Sequence, residues 1–498
     1  MNTNYISLLL LLLLGLYSCS SDDDSGTMHG PEEEYSAGAA DFSNYVSVGN
    51  SLTAGYTDGA LFIAGQTNSL PNILATQFSL VGGGEFNQPL TNGNLGGLLL
   101  GGNPLPGFEN RLYFNGSGPA RLPGMPTTDI SQILSGNYNN MGVPGALSYH
   151  LVIPGYGNIA GLQTGNANPY FVRFASSPST SVIADAVAQN PTFFSLWIGN
   201  NDVLGYATGG GVGIDQTGNL DFATYATNDI TDPDVFAQMY ANIVSQLVQN
   251  DAKGIVANIP DITSIPYFTT VPYNAIPLDE NTADAINGAY AAYNGGLVQA
   301  QGFGLITAEE VEKRTINFSA GQNAVVLIDE DLTDLTGVNP ALINMRQATE
   351  EDLIPLPVSS VLGTLADPNN PQSVIGVGVP LDDGQVLIPS EQMHVKTATQ
   401  AYNATIQAVA EQHGLALVDA NAILTALSQE GGVPFDEFVL NDDLVFGGAF
   451  SLDGIHPTAR GYAYLANKFL EAIEVEYEAT LPRLKAADYN TLYPAQLP

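Results

Sequence analysis

The sequence predicts an α/β protein whose parallel sheet is covered by helices on both faces. Short apolar runs, each ended by glycine or a polar residue, are typical of buried parallel strands. Helical patterns separate these runs along the chain, and this alternation favours a parallel sheet because each crossover lays a helix against it. Hydrophobic residues make up 45% of the 498, which is enough for a large globular core.

The first predicted strand is Tyr45-Val46-Ser47-Val48-Gly49, an apolar run that stops at a glycine. Order is expected to begin there, because the preceding segment 20–42 is polar and acidic and has the composition of a flexible tether. Three further apolar runs predict strands over 193–199, 254–259 and 415–419. These four strands define the expected sheet.

Helical patterns lie between and after the predicted strands. Asp232 and Pro233 supply an N-cap and a first-turn proline. Apolar side chains then follow at helical spacing, namely Phe236, Tyr240, Ile243 and Leu247. Further helices are predicted over about 281–299, 392–412 and 458–477.

Three regions interrupt the alternation of strands and helices. They lie near 80–140, 205–230 and 302–390 and are rich in Gly, Pro and Asn. Connections of this length are either functional lids or irregular subdomains, so we interpret them as long insertions in one domain over 43–477. Residues 478–498 are interpreted as a C-terminal tail.

The charge of the chain excludes several classes of partner. There are 50 acidic residues against 12 Lys and Arg, giving a formal net charge of −38. Binding to nucleic acid requires clustered Lys and Arg, which this composition cannot supply, and a polybasic membrane surface is excluded for the same reason. The acidic excess is typical of a soluble, self-repelling surface.

The N-terminus carries the features of a lipoprotein signal. The apolar run 6–17 is too short to span a bilayer, and the sole cysteine of the chain, Cys19, follows it directly. Leu16-Tyr17-Ser18-Cys19 resembles a bacterial lipobox, in which the cysteine is acylated and the preceding residues, here 1–18, are removed. An ordinary secretory signal with an incidental cysteine is the alternative, and the n-region 1–4 lacks the usual Lys or Arg. Residues 19–42 are then the acidic tether.

Three short polar segments follow predicted strands or turns. Gly49-Asn50-Ser51-Leu52 places a serine at the carboxyl end of a parallel strand, where α/β proteins build their sites. Gly142-Val143-Pro144-Gly145-Ala146 is a turn that can direct a backbone N–H towards a developing oxyanion. Gly199-Asn200-Asn201-Asp202 offers side-chain amides as further donors. Each segment taken alone is commonly a helix cap or a turn.

A fourth segment, Asp453-Gly454-Ile455-His456-Pro457, precedes the last predicted helix. The spacing of three residues lets one turn of chain bring the carboxylate of Asp453 to the imidazole of His456. Such a carboxylate fixes the tautomer of a histidine base and stabilises the imidazolium that forms when the base takes a proton.

Taken together and in this order, the four segments resemble the sequence blocks of the SGNH (GDSL) hydrolase family. The run 450–458, Phe-Ser-Leu-Asp-Gly-Ile-His-Pro-Thr, and the segment Val256–Pro260 followed by Asp261 agree with it. The resemblance covers about 43–473 apart from the insertions. It implies a three-layer α/β/α sandwich with a flavodoxin-like parallel sheet.

The resemblance also implies roles for individual residues. Ser51 is the expected nucleophile, His456 its base and Asp453 the group that orients the base. The implied oxyanion hole consists of the backbone N–H groups of Ser51 and Gly145 with the side-chain amide of Asn201. Gly142 is a second candidate for the glycine donor. The family's first block usually reads Gly-Asp-Ser-Leu, and Asn50 replaces the Asp here, which we expect to tune activity rather than abolish it.

Signals for other chemistries are weak. There is no Gly-x-Ser-x-Gly elbow, P-loop, dinucleotide-binding glycine motif or His-Glu-x-x-His. The acidic clusters 229–234 and 329–334 lack the EF-hand spacing and are interpreted as solvated loops rather than calcium sites. Of the other histidines, only His150 lies near one of the four segments. No cofactor and no metal are expected.

The function expected from the sequence is hydrolysis of carboxylic esters through an acyl-enzyme. A lipid or small acyl ester and an acetylated polysaccharide are both open as substrates. The alternative from another class is a non-catalytic surface lipoprotein that binds glycan or lipid on a degenerate hydrolase scaffold. The acidic run after Cys19 resembles the export tag of Bacteroidetes surface lipoproteins, which implies a lipid anchor in the outer membrane.

Overall fold

The computed structural model describes residues 34–497, and the signal segment with most of the acidic tether, Cys19 included, lies outside this range. Residues from Ser36 onward form one compact unit. Within the described range, no helix has both the length and the apolar character that a membrane crossing requires.

The strands are mostly short. They are β1 (Tyr45–Gly49), β2 (Leu99–Leu100), β3 (Asn103–Pro104), β4 (Leu112–Phe114), β5 (Pro119–Arg121), β6 (Asn140–Gly142), β7 (Phe193–Trp197), β8 (Lys253–Ala257), β9 (Ile276–Leu278), β10 (Gly321–Asn323), β11 (Val326–Ile328), β12 (Met345–Gln347), β13 (Ala416–Val418), β14 (Val433–Phe435) and β15 (Phe438–Leu440).

The α-helices vary more in length. They are α1 (Ser51–Ala54), α2 (Ile63–Thr67), α3 (Leu70–Phe78), α4 (Pro169–Val172), α5 (Val182–Val187), α6 (Asn201–Thr208), α7 (Pro233–Leu247), α8 (Pro266–Thr269), α9 (Glu280–Gly302), α10 (Ala308–Arg314), α11 (Pro389–His413), α12 (Ala420–Leu427) and α13 (Ala459–Tyr477).

Five strands form the central sheet in the order β13-β8-β7-β1-β6, and every neighbouring pair is parallel. Numbered by their sequence within this sheet, the strands read 2-1-3-4-5 from β6, which is the flavodoxin-like order. The prediction of a flavodoxin-like parallel sheet is confirmed. The four strands predicted from apolar runs are β1, β7, β8 and β13. Strand β6 escaped prediction because it is three residues long and Met141 is its only large apolar residue, so no apolar run marks it.

Helices pack on the sheet in two groups. α3 and α13 contact each other, and α13 lies against β8 and β13. α5, α6, α7 and α11 form the second group, in which α5 contacts β1 and α11 contacts β8 and β13. The α/β/α layering is therefore confirmed. Asp232 caps α7 through its side chain and Pro233 occupies the first turn, as predicted, and the four apolar residues of its helical pattern are buried.

A second hydrophobic core lies between residues 271 and 388. It is built on α9, α10 and the antiparallel pairs β9–β10 and β11–β12, and it forms a cluster separate from that of the main sheet. We refer to it as the insertion core. It begins before the predicted insertion near 302–390, since α9 contributes the buried Tyr290, Tyr293 and Leu297. After α13 the chain packs back on the molecule, with Leu481, Leu484 and Tyr493 buried.

Candidate active site

The carboxyl ends of β1, β6 and β7 meet at one edge of the sheet, and the turn before α13 closes over them. We call this region the catalytic edge; it comprises residues 49–52, 142–146, 199–202 and 449–458. Parallel strands bring their carboxyl ends to the same edge, which is why three segments spread between residues 49 and 202 become neighbours. The close packing demands glycine at the end of β1, where a Cβ on Gly49 would lie 2.4 Å from the carbonyl oxygen of Trp197.

Ser51, His456 and Asp453 form a continuous chain of contacts. His456 Nε2 lies 2.9 Å from Ser51 Oγ, and His456 Nδ1 lies 2.9 Å from Asp453 Oδ2. Both Ser51 and His456 are buried but border a cavity. Ser51 is the first residue of α1, so its side chain is fixed where a strand turns directly into a helix.

Asp453 is held by four further donors. Its Oδ1 accepts hydrogen bonds from the backbone N–H groups of Ile455 and His456 and from Ser451 Oγ, and its Oδ2 accepts one from Gly59 N–H. Burial alone would raise the pKa of Asp453, but the charge of His456 and these hydrogen bonds lower it to about 2. The carboxylate therefore stays ionised over the whole physiological range and can stabilise an imidazolium.

The backbone N–H groups of Ser51 and Gly145, the two donors implied by the resemblance, have no hydrogen-bond partner among the described residues. Gly145 is exposed and has a φ of +80°, a left-handed conformation that glycine adopts without strain. Gly142, the second candidate, lies in β6 and its N–H already donates to Asn140 Oδ1. The geometry therefore favours Gly145 as the available glycine donor.

Asn201 links the second and third segments. Its Nδ2 donates one hydrogen bond to the carbonyl oxygen of Ala146 at 2.9 Å, which leaves the second amide hydrogen available. The same turn is held from the other side by Asn168, whose Nδ2 donates to Pro144 O at 2.8 Å. The two side chains thus fix the position of the Gly145 N–H.

Asn50 bridges the first and third segments. It is fully buried, and its Oδ1 accepts from Leu52 N–H, which caps α1. Its Nδ2 donates to Asn200 Oδ1 at 3.2 Å. An ionised Asp at position 50 could cap the helix but could not donate to Asn200, so the Asn found here adds a neutral contact between the two strand ends.

A second buried carboxylate lies behind Asp453 and was missed from the sequence. Asp58 N–H donates to Ser451 Oγ, and Asp58 Oδ1 accepts from Leu452 N–H. Its Oδ2 is buried without a partner among the described residues. Burial raises the pKa of Asp58 to about 7; the Leu452 hydrogen bond opposes this shift and the charge of Asp453 adds to it. Asp58 is therefore largely protonated below neutral pH. As a neutral acid it holds the turn that carries Asp453 and His456 through its contacts with Ser451 and Leu452.

His150 does not join the catalytic group. Its Nδ1 accepts a hydrogen bond from Leu147 N–H, and its ring stacks on Tyr156. Burial lowers the pKa of His150 to about 4, so the ring is neutral at physiological pH. Its role here is to fix the turn that follows Gly145.

The acidic clusters are only partly solvated, which corrects the interpretation from sequence. Asp234, Glu330, Asp331 and Asp334 are exposed, but the other carboxylates are buried. Asp229 is buried and accepts from Gln216 Nε2, Asp232 caps α7, and Asp329 is buried in ion pairs with Lys313 and Arg346. Composition could not reveal this because the partners lie on other segments. The contacts of Asp229, Asp232 and Asp329 already use carboxylate oxygens that a cation would need.

Among the described residues, one group of three carboxylates lies close enough together to be considered as a cation site. Glu330, Asp383 and Glu391 bring carboxylate oxygens within 4.8 Å of one another. Burial and the charges of the other two raise the pKa of Glu391 to about 9. A bound proton therefore offsets their repulsion at neutral pH.

Comparison with known proteins finds only remote likenesses. No family model and no curated protein matches the chain. Among solved structures, LAE5, an alpha/beta hydrolase enzyme from the metagenome of Lake Arreo, Spain, is 12% identical with a TM-score of 0.30 over 87% of this chain and 96% of that one. A mutant of Axe2, an acetyl-xylooligosaccharide esterase from Geobacillus, is 11% identical with a TM-score of 0.30 over 87% and 95%.

An extracellular lipase from Streptomyces rimosus is 12% identical with a TM-score of 0.28 over 87% of this chain and 98% of that one. By their descriptions, LAE5 is an alpha/beta hydrolase and the other two are an esterase and a lipase. At such TM-scores the likenesses carry no argument about function. The function is argued from the geometry of the catalytic edge.

Proposed function

We propose that this protein is a serine ester hydrolase that acts through an acyl-enzyme. One observation carries the proposal: Ser51 Oγ, the two ring nitrogens of His456 and the Asp453 carboxylate form a chain with both contacts at 2.9 Å. A nucleophile hydrogen-bonded to a base, which is itself oriented by a third group, is the arrangement that acyl transfer requires.

The geometry supports the following steps. Ser51 Oγ attacks the ester carbonyl carbon while its proton passes to His456 Nε2, and Asp453 stabilises the imidazolium. The tetrahedral intermediate collapses, the carbon–oxygen bond to the alcohol breaks, and His456 returns the proton to the departing alkoxide. Water then repeats the sequence on the acyl-serine, releasing the carboxylic acid and restoring Ser51.

Negative charge develops on the former carbonyl oxygen during both attacks. The unpaired N–H groups of Ser51 and Gly145 and the second amide hydrogen of Asn201 are the donors we assign to this oxyanion. They are fixed before substrate arrives, so little reorganisation is needed in the transition state. This oxyanion assignment and the three catalytic roles agree with those implied by the sequence resemblance to SGNH hydrolases.

The test uses the full chain and a fluorophosphonate probe, which reacts only with an activated serine. Wild type should be labelled and should hydrolyse a chromogenic ester. Ser51→Ala should lose both properties while keeping its unfolding transition. Ser245→Ala, at an exposed serine on α7, is the matched control and should behave as wild type. Absence of labelling in folded wild-type protein would instead favour a non-catalytic binding protein.

We also propose that Cys19 is acylated and tethers the enzyme to the outer membrane. The support is the lipobox-like segment 16–19, which contains the only cysteine of the chain. Cys19→Ser should then lose incorporation of labelled palmitate and be released from membranes. Labelling that persists in this variant would contradict the anchor.

A further inference from the structure

The catalytic edge opens into an apolar cavity of about 80 Å³ that the catalytic roles do not explain. Ser51, His456 and Asn201 line it together with side chains of very different character. These include Leu52, Trp197, Ile262, Leu424, Leu427 and Phe450. Since the nucleophile itself borders the cavity, whatever occupies the cavity lies next to the acyl carbon.

Away from the catalytic edge, the lining of the cavity is almost entirely apolar. Among the described residues that line it, none is Asp, Glu, Lys or Arg, and the Asn, Ser and His side chains all belong to the catalytic edge. Trp197 presents only its ring surface, because its Nε1–H already donates to Asn258 O at 3.1 Å. Apart from the hydroxyl of Tyr464, the walls away from the catalytic edge have no side-chain polar group for a buried ligand.

This lining discriminates between a carbohydrate group and a hydrocarbon group of an ester substrate. A sugar in the cavity would lose water from several hydroxyl groups, and each one left unpaired costs about five- to 150-fold in affinity. An aliphatic chain would gain about fourfold for each methylene group removed from water. The cavity therefore favours a hydrocarbon chain and disfavours a carbohydrate.

We propose that this cavity binds the aliphatic acyl chain of the substrate, so that the enzyme prefers esters of short aliphatic acids such as butyrate over acetyl esters. A methylene group takes about the volume of a water molecule in the liquid, roughly 30 Å³, so the cavity of about 80 Å³ holds about three of them. The inference rests on the proposed ester hydrolase function and specifies its substrate class. The acyl chain lies between α12 and α13, and the alcohol leaves on the solvent side of Ser51. The alcohol is left unspecified by the cavity, whereas the acid is selected by it.

Leu424 on α12 provides the means to test the assignment in both directions. It is buried and lines the cavity, so Leu424→Trp reduces the space and Leu424→Ala enlarges it. Ala422 is exposed on the same helix and does not line the cavity. Ala422→Trp is therefore the matched control for a bulky substitution in α12.

The experiment measures kcat/KM of the full chain for p-nitrophenyl acetate, butyrate, octanoate and dodecanoate at one fixed detergent concentration. In wild type, kcat/KM should rise about 10-fold from acetate to butyrate, which adds two methylene groups, and should change little with longer chains. Leu424→Trp should lower the butyrate-to-acetate ratio about fivefold or more, Leu424→Ala should raise the octanoate-to-butyrate ratio, and Ala422→Trp should leave both ratios unchanged.

The outcomes separate this inference from the function on which it rests. An active enzyme whose kcat/KM is flat or falls from acetate to butyrate overturns the acyl-chain assignment and leaves the ester hydrolase standing. Ratios unmoved by both Leu424 variants overturn it too. If Leu424→Trp does not fold, Leu424→Ala decides alone. Failure to hydrolyse any ester, acetate included, overturns the proposed function and this inference together.

Discussion

The catalytic edge and the insertion core are stabilised by different kinds of interaction. At the catalytic edge, apart from the Asp453–His456 pair, neutral amide side chains join neighbouring segments, as Asn50, Asn168 and Asn201 do. In the insertion core, a buried ion-pair network joins the segments. Arg346 donates to Asp329 and, with both terminal nitrogens, to Asp352.

This contrast separates two tasks. The catalytic edge has to leave a few hydrogen-bond donors unpaired for the substrate. Asp58, next to this edge, adds a carboxyl group that is protonated and neutral below about pH 7. The insertion core has little regular sheet to order it, and a buried bidentate arginine pair fixes the relative positions of its segments. Damage to the first should therefore appear in turnover, and damage to the second in stability.

The largest expected effect on stability is that of Arg346→Met. The substitution leaves Asp352 buried without its ionic partner and leaves Asp329 with Lys313 alone. Removing one member of a buried ion pair typically costs about 3–5 kcal/mol. Urea unfolding of the full chain measures the loss. Lys468→Met is the control, because its ion pair with Glu471 is partly exposed and should contribute at most about 1 kcal/mol.

The catalytic edge should keep its chemistry in Arg346→Met molecules that remain folded. Fluorophosphonate labelling per folded molecule measures this. Stability equal to wild type would mean that apolar packing alone fixes the insertion core. Slower labelling in fully folded protein would show that the insertion core and the catalytic edge are coupled. Tyr267 lies just before the insertion core and donates its N–H to Gly454 O in the turn 453–457, which provides a direct route between the two regions.

Asn201→Ala is the converse case, with a large effect on turnover and a small one on stability. Removing one oxyanion donor typically lowers kcat by ~10²–10³, and KM should change little because the donor acts mainly in the transition state. Asn168→Ala is the control. It removes the other support of the Gly145 turn but no oxyanion donor, so its kcat should fall less than 10-fold. Equal losses in both variants would make Asn201 a structural support only.

Asp58 makes a smaller and pH-dependent contribution. Its raised pKa means that the folded state holds a proton that the unfolded state releases, so wild-type stability falls as pH rises from about 4 to about 7. The full shift corresponds to at most about 4 kcal/mol. Asp58→Asn mimics the protonated form and tolerates the positive φ at this position, so it should not lose this stability.

The measurement is the difference in unfolding free energy between Asp58→Asn and wild type. It should shift in favour of the variant as pH rises from 4 to 7 and then stay constant. Asp251→Asn, at an exposed aspartate that also has a positive φ, controls for loss of a charge in the same backbone conformation. A constant difference across this range would mean that Asp58 is ionised throughout.

The sequence predicted the elements whose signals are local. The strand β1, the capped helix α7 and the fold class are confirmed, because an apolar run and an Asp-Pro cap depend only on neighbouring residues. The catalytic segments were found for the same reason, since each is four or five residues long. The contact of Asp453 with His456 was expected from their spacing of three residues, whereas the contact of His456 with Ser51 could be anticipated only through the family resemblance.

Long-range contacts could not be predicted. The Asp58-Gly59 pair is typical of a tight hairpin turn, but nothing in it indicates contacts with residues 451–453, nearly 400 positions later. The acidic clusters were interpreted as solvated because the partner of Asp329, Arg346, lies 17 residues away in another strand. Burial of a charge is decided by such partners and not by composition.

The smallest expected effect concerns the charge that both regions share. With a formal net charge of −38, the field around the enzyme should repel anionic esters at low ionic strength. Arg111 and Arg173 are buried and donate to backbone carbonyl groups, so neither guanidinium is available to bind an anionic substrate directly. We expect p-nitrophenyl butyrate to have a higher kcat/KM than p-nitrophenyl hemisuccinate. Most of this difference should lie in KM and little of it in kcat.

Salt separates two causes of that preference. The Debye length falls from ~10 Å at 0.1 M to ~3 Å at 1 M, so repulsion between the substrate and distant carboxylates should disappear. The cost of bringing the succinyl carboxylate into an apolar cavity is local and should persist. The ratio of kcat/KM for the butyrate to kcat/KM for the hemisuccinate should therefore fall about threefold to 10-fold between low and high salt. It should then stay constant at a value above one. A hemisuccinate preference at low salt would contradict the field argument, whereas a gap that vanishes at 1 M would place the succinyl group outside the cavity beside Ser51.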